Sequence, residues 1–371
     1  MAKDKDNYGL STEKKLRQIT PPNINYLPRL PKNYNPKIGL IGTGGISDFH
    51  LRNYKKLGLQ VMAISDRNLS KARTIRDKYF PDAKVYENYN DLLNQEEIEV
   101  VDITPHPQDR LPILKKALNA RKHVLSQKPL VLDLKDGEEL VNLAKKNGVK
   151  LAVNQNGRWA PHFSYMREAI GAGIIGRPIS VDFSLQWDQT WIAGNPAFEA
   201  IHHMVLLDFS IHWFDIAAAF MQDQQPLNIY ASTTSFREQK YTPPALASCI
   251  INYEQAQVRM GFNAHTTLGE EDVTTIVGTK GTLRSRGPGL NDQPEIELFT
   301  EKGCAKIPLE GSWFENGFQG TMGELLCAIE ENREPTNNAA SNLRSLELCF
   351  AALESADKGK VIIPGSVRTV P

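Results

Sequence analysis

The chain has 371 residues, with 43 Lys and Arg balancing 43 Asp and Glu, 41% hydrophobic residues and 23% charged ones. That length amounts to two or more units of about 150 residues, and the composition is that of an ordinary globular protein rather than a disordered or fibrous one. Net neutrality supplies no field for a nucleic acid backbone or an anionic membrane, so neither is expected as a partner.

Residues 1–36 are polar, first Lys- and Asp-rich and then punctuated by Pro21, Pro22, Pro28, Pro31 and Pro36. They hold no apolar stretch of the length a secretory signal needs, so a cytoplasmic protein is expected. The prolines predict an extended arm or tail, with packing on a neighbouring subunit left open.

From Lys37 the pattern is strand, glycine turn, helix: Lys37 to Ile41, then Gly42-Thr43-Gly44-Gly45-Ile46-Ser47, then a helix-compatible segment. Gly42 supplies the tight turn, Gly44 lets a pyrophosphate approach the main chain, and the free N–H groups opening the helix favour negative charge. A second strand, Gln60 to Ser65, ends at Asp66, at a spacing that suits a carboxylate accepting from both ribose hydroxyls of adenosine. Arg67 fits either stacking on adenine or pairing with a 2′-phosphate; Asp66 favours NAD and leaves NADP open. Strand-like runs at 100–104, 123–126 and 149–153 alternate with helix-like runs at 111–120 and 133–147. Residues 37–157 are therefore expected to form an α/β Rossmann domain with a doubly wound parallel sheet. Ligands sit beyond the carboxyl ends of such strands, where Thr104, Pro105, Gln127 and Lys128 fall.

After Arg158 the alternation stops. Ile179, Val181, Phe183, Leu185 and Trp187 alternate with polar residues, and strands are predicted at 227–236, 246–253, 257–263, 273–277 and 295–300, with helices at 318–331 and 339–357. Residues 158–371 are expected to form an α+β domain with a large, mostly antiparallel open sheet. The apolar stretch 201–221 contains His202, His203, Asp208, His212 and Asp215, too many ionisable groups for a membrane span. Read as a helix at about 100° per residue, Asp208, His212 and Asp215 share one face. An Asp one turn away can hold an imidazole and stabilise its charged form, which makes His212 a candidate base. The competing reading is a histidine buried among apolar neighbours. Asn156, Arg158, Trp187, Asp188, Trp191, His202 and His203 offer either hydrogen bonds and a flat ring to a polyol or plain core packing. Adjacent histidines on a helix point about 100° apart, so no metal centre is expected. Cys249, Cys304, Cys327 and Cys349 lack C-x-x-C spacing and predict buried free thiols.

Three motifs together resemble the Gfo/Idh/MocA oxidoreductases over nearly the whole chain after the arm: Gly42 to Ser47 with His50, Ser126-Gln127-Lys128-Pro129, and the segment Asp208 to Asp215. The resemblance implies NAD or NADP bound by Gly42, Thr43, Gly44, Gly45, Ile46, Asp66, Arg67, Thr104, Pro105, Gln127, Lys128 and Asn156. It implies a catalytic set of Lys128, His212 and Asp208; Arg158 and Trp187, read from their residue types, are expected to join these three in substrate binding. The implied reaction is hydride transfer between a secondary alcohol of a sugar, cyclitol or sugar derivative and the nicotinamide, in a homo-oligomer (dimer or tetramer) built through the C-terminal sheet. Two alternatives share the scaffold: a redox-cycling enzyme with tightly held cofactor (an aldose–aldose oxidoreductase or an oxidation-assisted glycosidase), and a non-enzymatic sugar- or dinucleotide-sensing regulator, against which the intact Lys128 and His212 count. The sequence departs from the family pattern at Gln127 for Glu, at Ser210 for Gly, and at Asp109, where a His often follows the Thr-Pro turn.

Overall fold

The computed structural model describes residues 16–370. Strands β1 (Lys37–Ile41), β2 (Gln60–Ser65), β3 (Lys84–Tyr86), β4 (Ile98–Ile103), β5 (His123–Ser126) and β6 (Leu151–Val153) form a parallel sheet in the order β3-β2-β1-β4-β5-β6. Their apolar runs are buried on both faces, as a parallel sheet requires. The helices are α1 (Ser47–Lys56), α2 (Leu69–Tyr79), α3 (Tyr89–Leu93), α4 (Pro107–Asn119) and α5 (Leu134–Asn147). Local signals set their ends: Asn68 and Asp133 accept backbone N–H groups at the starts of α2 and α5, Pro107 opens α4, and Gly148 closes α5 in the left-handed region. Strand order reverses between β1 and β4, so their carboxyl ends frame the ligand crevice of this architecture.

A 3₁₀ turn at Asn156–Trp159 and α6 (Pro161–Gly171) lead into the second half: β7 (Pro178–Gln186), α7 (Pro196–Glu199), α8 (Ile211–Phe220), and strands β8 (Pro226–Thr234), β9 (Leu246–Tyr253), β10 (Gln257–Asn263), β11 (Glu271–Gly278), β12 (Gly281–Gly287), β13 (Glu295–Thr300) and β14 (Gly303–Pro308). Two long helices, α9 (Trp313–Glu330) and α10 (Ala339–Lys358), follow. The eight strands run β14-β13-β12-β11-β7-β10-β9-β8, antiparallel throughout except where β7 meets β10. One face carries Val181, Phe183, Leu185, Ile229, Ile251 and Ile276 into the core. Ile179, expected on that face, is exposed, because the register with β11 shifts at the start of β7.

The closing helices do not stay within the second half. Met322, Leu325 and Leu326 of α9 are fully buried in one cluster with Ile38, Leu40, Val100 and Leu125 of the parallel sheet, each contributing roughly 1.5–3 kcal/mol as an upper estimate. The chain leaves the first domain after β6 without another crossover helix, and α9 returns to cover the sheet face left bare. The described part of the arm is extended and packs on its own chain. Gln18 bridges to Cys304, the Tyr26 ring meets the Tyr165 ring at 5.7 Å, and the N–H groups of Lys32, Asn33 and Tyr34 donate to the Glu330 carboxylate. Gly323 is required there, since a Cβ would stand 2.2 Å from the Arg29 carbonyl oxygen. Residues 1–15 of the expected arm lie outside the described residues. No described helix is long and apolar enough to cross a membrane.

Candidate active site

The glycine turn is built as a cradle. Gly42 adopts φ 95°, and a Cβ there would stand 2.7 Å from Thr104 Oγ1 and 2.8 Å from Pro105 Cδ, so only glycine lets the first turn lie against the end of β4. Thr104 Oγ1 donates to the Gly42 carbonyl at 2.9 Å. Gly44 and Gly45 are exposed, and a Cβ on either would meet nothing within 4 Å, so the main chain is bare where a pyrophosphate would approach. Ser47 closes the turn from beneath, its hydroxyl donating to the Gly44 carbonyl at 2.6 Å, and Ile46 caps α1. Asp66 stands at the mouth, accepting from Thr43 N at 2.7 Å, Thr43 Oγ1 at 2.8 Å and Asn68 N at 2.8 Å. Partial burial works to raise its pKa, but these donors outweigh burial and hold the carboxyl below the usual range. Arg67 is exposed beside it.

At the ends of β4 and β5 a buried network missed by the sequence reading holds the Gln127–Pro129 turn. Asp102 Oδ2 accepts from Tyr54 Oη and from His50 Nδ1, both at 2.7 Å, which leaves His50 Nε2 to accept from the side-chain amides of Gln127 and Asn154, each at 3.2 Å. Gln127 Oε1 in turn accepts from Lys128 N at 2.6 Å. Arg110, almost wholly buried, donates to the carbonyls of Pro105, Gln127 and Pro129 and so ties the two strand ends together; burial pushes its guanidinium down to about 9.

Lys128 Nζ then reaches across to the second half, donating to Asp208 O at 2.8 Å and Asp208 Oδ1 at 2.9 Å. His212 lies close enough for the ammonium to act on it: burial first and the Lys128 charge second push the imidazole well below its ordinary range. Its Nδ1 is buried without a partner among the described residues, and the Trp313 ring meets the imidazole edge-on at 5.7 Å. The expected Asp208–His212 hydrogen bond is therefore corrected. The helix count fails between them because Val205–Phe209 is a π turn, in which Ser210 N donates to Val205 O at 2.8 Å, and Asp208 swings to Lys128 instead.

Other expected site residues are committed to structure. Asp215 is fully buried and takes a two-pronged bond from Arg158, at 2.5 and 2.8 Å, with Ser345 Oγ at 2.8 Å. Arg158 also donates to the Thr336 carbonyl at 2.5 Å, so this substrate-binding candidate instead locks the interdomain turn to α8 and α10. Trp187 is 4% exposed and packs on Phe209, Trp213 and Phe262, which makes it core rather than a sugar platform. Asn156 Oδ1 accepts from Trp313 Nε1 at 3.0 Å, so it borders the site through that indole. Trp191 is 60% exposed, its ring against Phe198. His202 and His203 do not diverge as helical neighbours would; both Nε2 atoms contact Asp357 Oδ1. The Trp313 ring also lies 6.4 Å from that of His162, whose Nε2 is 3.9 Å from Asp272 Oδ2. Neither side chain makes a hydrogen bond among the described residues, and burial pushes His162 down to about 3 and Asp272 up to about 8. A groove of about 610 Å³ lined by Phe49, Arg52, Asn53, Lys56, Asn291 and Phe314 shares none of the expected site residues.

Residues 36–155 match the model of the oxidoreductase family with an NAD-binding Rossmann fold, and residues 163–284 match the GFO/IDH/MocA C-terminal domain. An inositol 2-dehydrogenase/D-chiro-inositol 3-dehydrogenase of Lactiplantibacillus plantarum is 30% identical over 82% of this chain and 86% of its own length. The chain belongs to the GFO/IDH/MocA oxidoreductase family. Inositol 2-dehydrogenase of Salmonella typhimurium is 29% identical over 48% of this chain and 54% of that protein, so the match spans about half the length of that relative. The structure of an oxidoreductase from Agrobacterium radiobacter in complex with NAD+, L-tartaric acid and magnesium has the same fold, with a TM-score of 0.80 at 22% identity over 90% of this chain and 99% of that one.

Two departures from the GFO/IDH/MocA pattern have local physical reasons. At 127 a glutamate would set a carboxylate against the His50 Nε2 lone pair that the Gln127 amide satisfies. At 210 the serine hydroxyl donates to the Val205 carbonyl at 2.5 Å, so it helps close the wide turn that carries Asp208. Asp109 is exposed on the first turn of α4, and nothing in the structure explains it.

Proposed function

We propose that this protein is an NAD-dependent dehydrogenase of a sugar, cyclitol or related polyol, oxidising a secondary alcohol with Lys128 and His212 at the reacting oxygen. The observation that carries the reading is the bridge from Lys128 to Asp208: it brings the strand end beside the glycine cradle against the segment bearing His212. The residues fit the cofactor, since the bare main chain at Gly44 and Gly45 suits a pyrophosphate and Asp66 is placed for a ribose. When bound, the nicotinamide supplies the hydride acceptor. His212, held neutral by burial, accepts the hydroxyl proton, and its free Nδ1 leaves the tautomer able to adjust. Lys128 donates to the same oxygen and stabilises its alkoxide character in a water-poor site, while Asp208 keeps the ammonium aimed and offsets its charge. Asp66 supports NAD over NADP, because a second anion beside it would be repelled. The inositol dehydrogenase names of the relatives support a cyclitol or sugar.

The same proposal includes a cytoplasmic location, consistent with four free cysteines, and a homo-oligomer through the open face of the eight-stranded sheet. Tyr230 and Ile250 stand exposed on adjacent strands of that face, which supports it. The test is a spectrophotometric screen of NAD and NADP reduction against inositols, aldoses, sugar acids and amino sugars. Turnover with NAD on at least one polyol is expected; reduction with none of them, by protein shown to bind NAD, contradicts the reading.

A further inference from the structure

His202 and His203 are consecutive, yet their rings lie 4.0 Å apart and both Nε2 atoms approach Asp357 Oδ1, at 2.7 and 2.9 Å. The three candidate ligand atoms lie within 4.8 Å of one another. On a helix the two imidazoles would diverge by about 100°. Here His203 adopts φ 46°, a left-handed conformation uncommon for a residue with a Cβ though favoured by histidine over most, and that turn brings the second ring beside the first. Asp357 arrives from the last turn of α10. On its other side, His203 Nδ1 meets Thr233 Oγ1 of β8 at 3.0 Å. When Nε2 ligates a metal, Nδ1–H must donate elsewhere, and the Thr233 hydroxyl oxygen stands where it can accept and hold the ring's orientation.

We propose that His202, His203 and Asp357 form a site for one divalent transition-metal ion of the zinc type, held by two imidazole nitrogens and one carboxylate oxygen with a fourth position open to water. Two imidazoles with one carboxylate suit zinc and its neighbours, whereas magnesium and calcium favour all-oxygen ligand sets. His202 is 58% exposed and Asp357 32%, so an ion can enter, while His203 at 9% forms the seated wall. With an ion bound at about 2.0–2.2 Å, the present contacts to Asp357 of 2.7 and 2.9 Å open by roughly half an ångström and the Nε2 protons are released. The pair sits immediately before the Val205–Phe209 turn that carries Asp208, so an ion here ties that segment to α10 and β8. This site is independent of the dehydrogenase reading.

The test uses the full chain, stripped with a chelator and then titrated with zinc chloride by calorimetry and with cobalt chloride by visible absorption, alongside melts with and without metal. One ion per chain, cobalt ligand-field bands and a raised melting temperature are expected, with no such response to magnesium. The variants H202A and D357N should show no metal-dependent rise in melting temperature and lose saturable binding. T233V should weaken zinc by about 10–100-fold. The proposal is overturned by a wild-type chain that shows no saturable zinc binding, or by H202A and D357N variants that bind zinc as the wild type does.

Discussion

Lys128 Nζ is held twice by a single residue, Asp208, once through the backbone carbonyl and once through the carboxylate. The carbonyl contact survives any side-chain change, so Asp208→Asn tests the charge alone. An Asn oxygen can still accept from the ammonium, so only the carboxylate charge is lost from this partly exposed pair; that is worth about 1 kcal/mol, so kcat should fall about 5-fold while NAD affinity stays at the wild-type value. Steady-state kinetics with both substrates varied checks this; an unchanged kcat would show that the carboxylate is idle in turnover.

His212 is kept neutral by burial and by the neighbouring ammonium. The pH profile of kcat/KM should therefore show no inflection near about 6.5, the ordinary histidine value, and activity should persist into mild acid. The stability effect has a definite sign. A folded-state pKa below the unfolded one means that the unfolded chain binds the proton first, so stability falls as pH drops below about 6.5. His162, pushed down to about 3, adds the same trend over the same range. An activity loss centred near the ordinary histidine pKa, in protein whose melting temperature is unchanged there, would contradict this account.

Asp272 carries the opposite sign. Burial pushes it up to about 8, so the folded protein keeps a proton that the unfolded chain releases above about 4. Wild-type stability should decline as pH rises between those values, by at most about 1.4 kcal/mol per pH unit. Asp272→Asn removes the titration. Melts of both proteins across this range should diverge with rising pH in favour of the variant; parallel curves would refute the assignment.

The Arg158–Asp215 pair joins the interdomain turn to α8 in a fully buried setting. Burial alone lowers the Arg158 pKa, but the Asp215 charge and hydrogen bonds outweigh it, for a net rise. Asp215→Ala strands the guanidinium and should cost about 3–5 kcal/mol, measured by urea unfolding. A loss below about 1 kcal/mol would mean that solvent or the Thr336 carbonyl satisfies Arg158 without its partner.

Periodicity made the parallel sheet legible: β5 has the expected bounds, and Gly42, Thr104 and Pro105 meet as the strand-end rule requires. Lys128 and the segment bearing His212 also converge, from positions distant in sequence. Strands β12 and β14 were not legible: Gly281–Gly287 begins and ends on Gly and carries Arg284 and Arg286, while Gly303–Pro308 runs from Gly to Pro around Lys306, and both gain strand character from their neighbours. The partners of Asp208 and Asp215 were hidden for another reason. A regular-helix count cannot register a π turn, and a buried arginine elsewhere in the chain decides where a carboxylate points. Asp102, Arg110 and Trp313 carried no local signal, since each acts only through residues that folding brings to it.

The central claim is that Lys128 and His212 act on the same reacting oxygen. Its most direct measurement is kcat and KM for Lys128→Ala and His212→Ala on a polyol that the wild type oxidises, with NAD binding measured separately by calorimetry. Losses in kcat of about 10²–10⁴-fold are expected for each variant, with NAD affinity within a few-fold of wild type for His212→Ala. Wild-type turnover in either variant would contradict it.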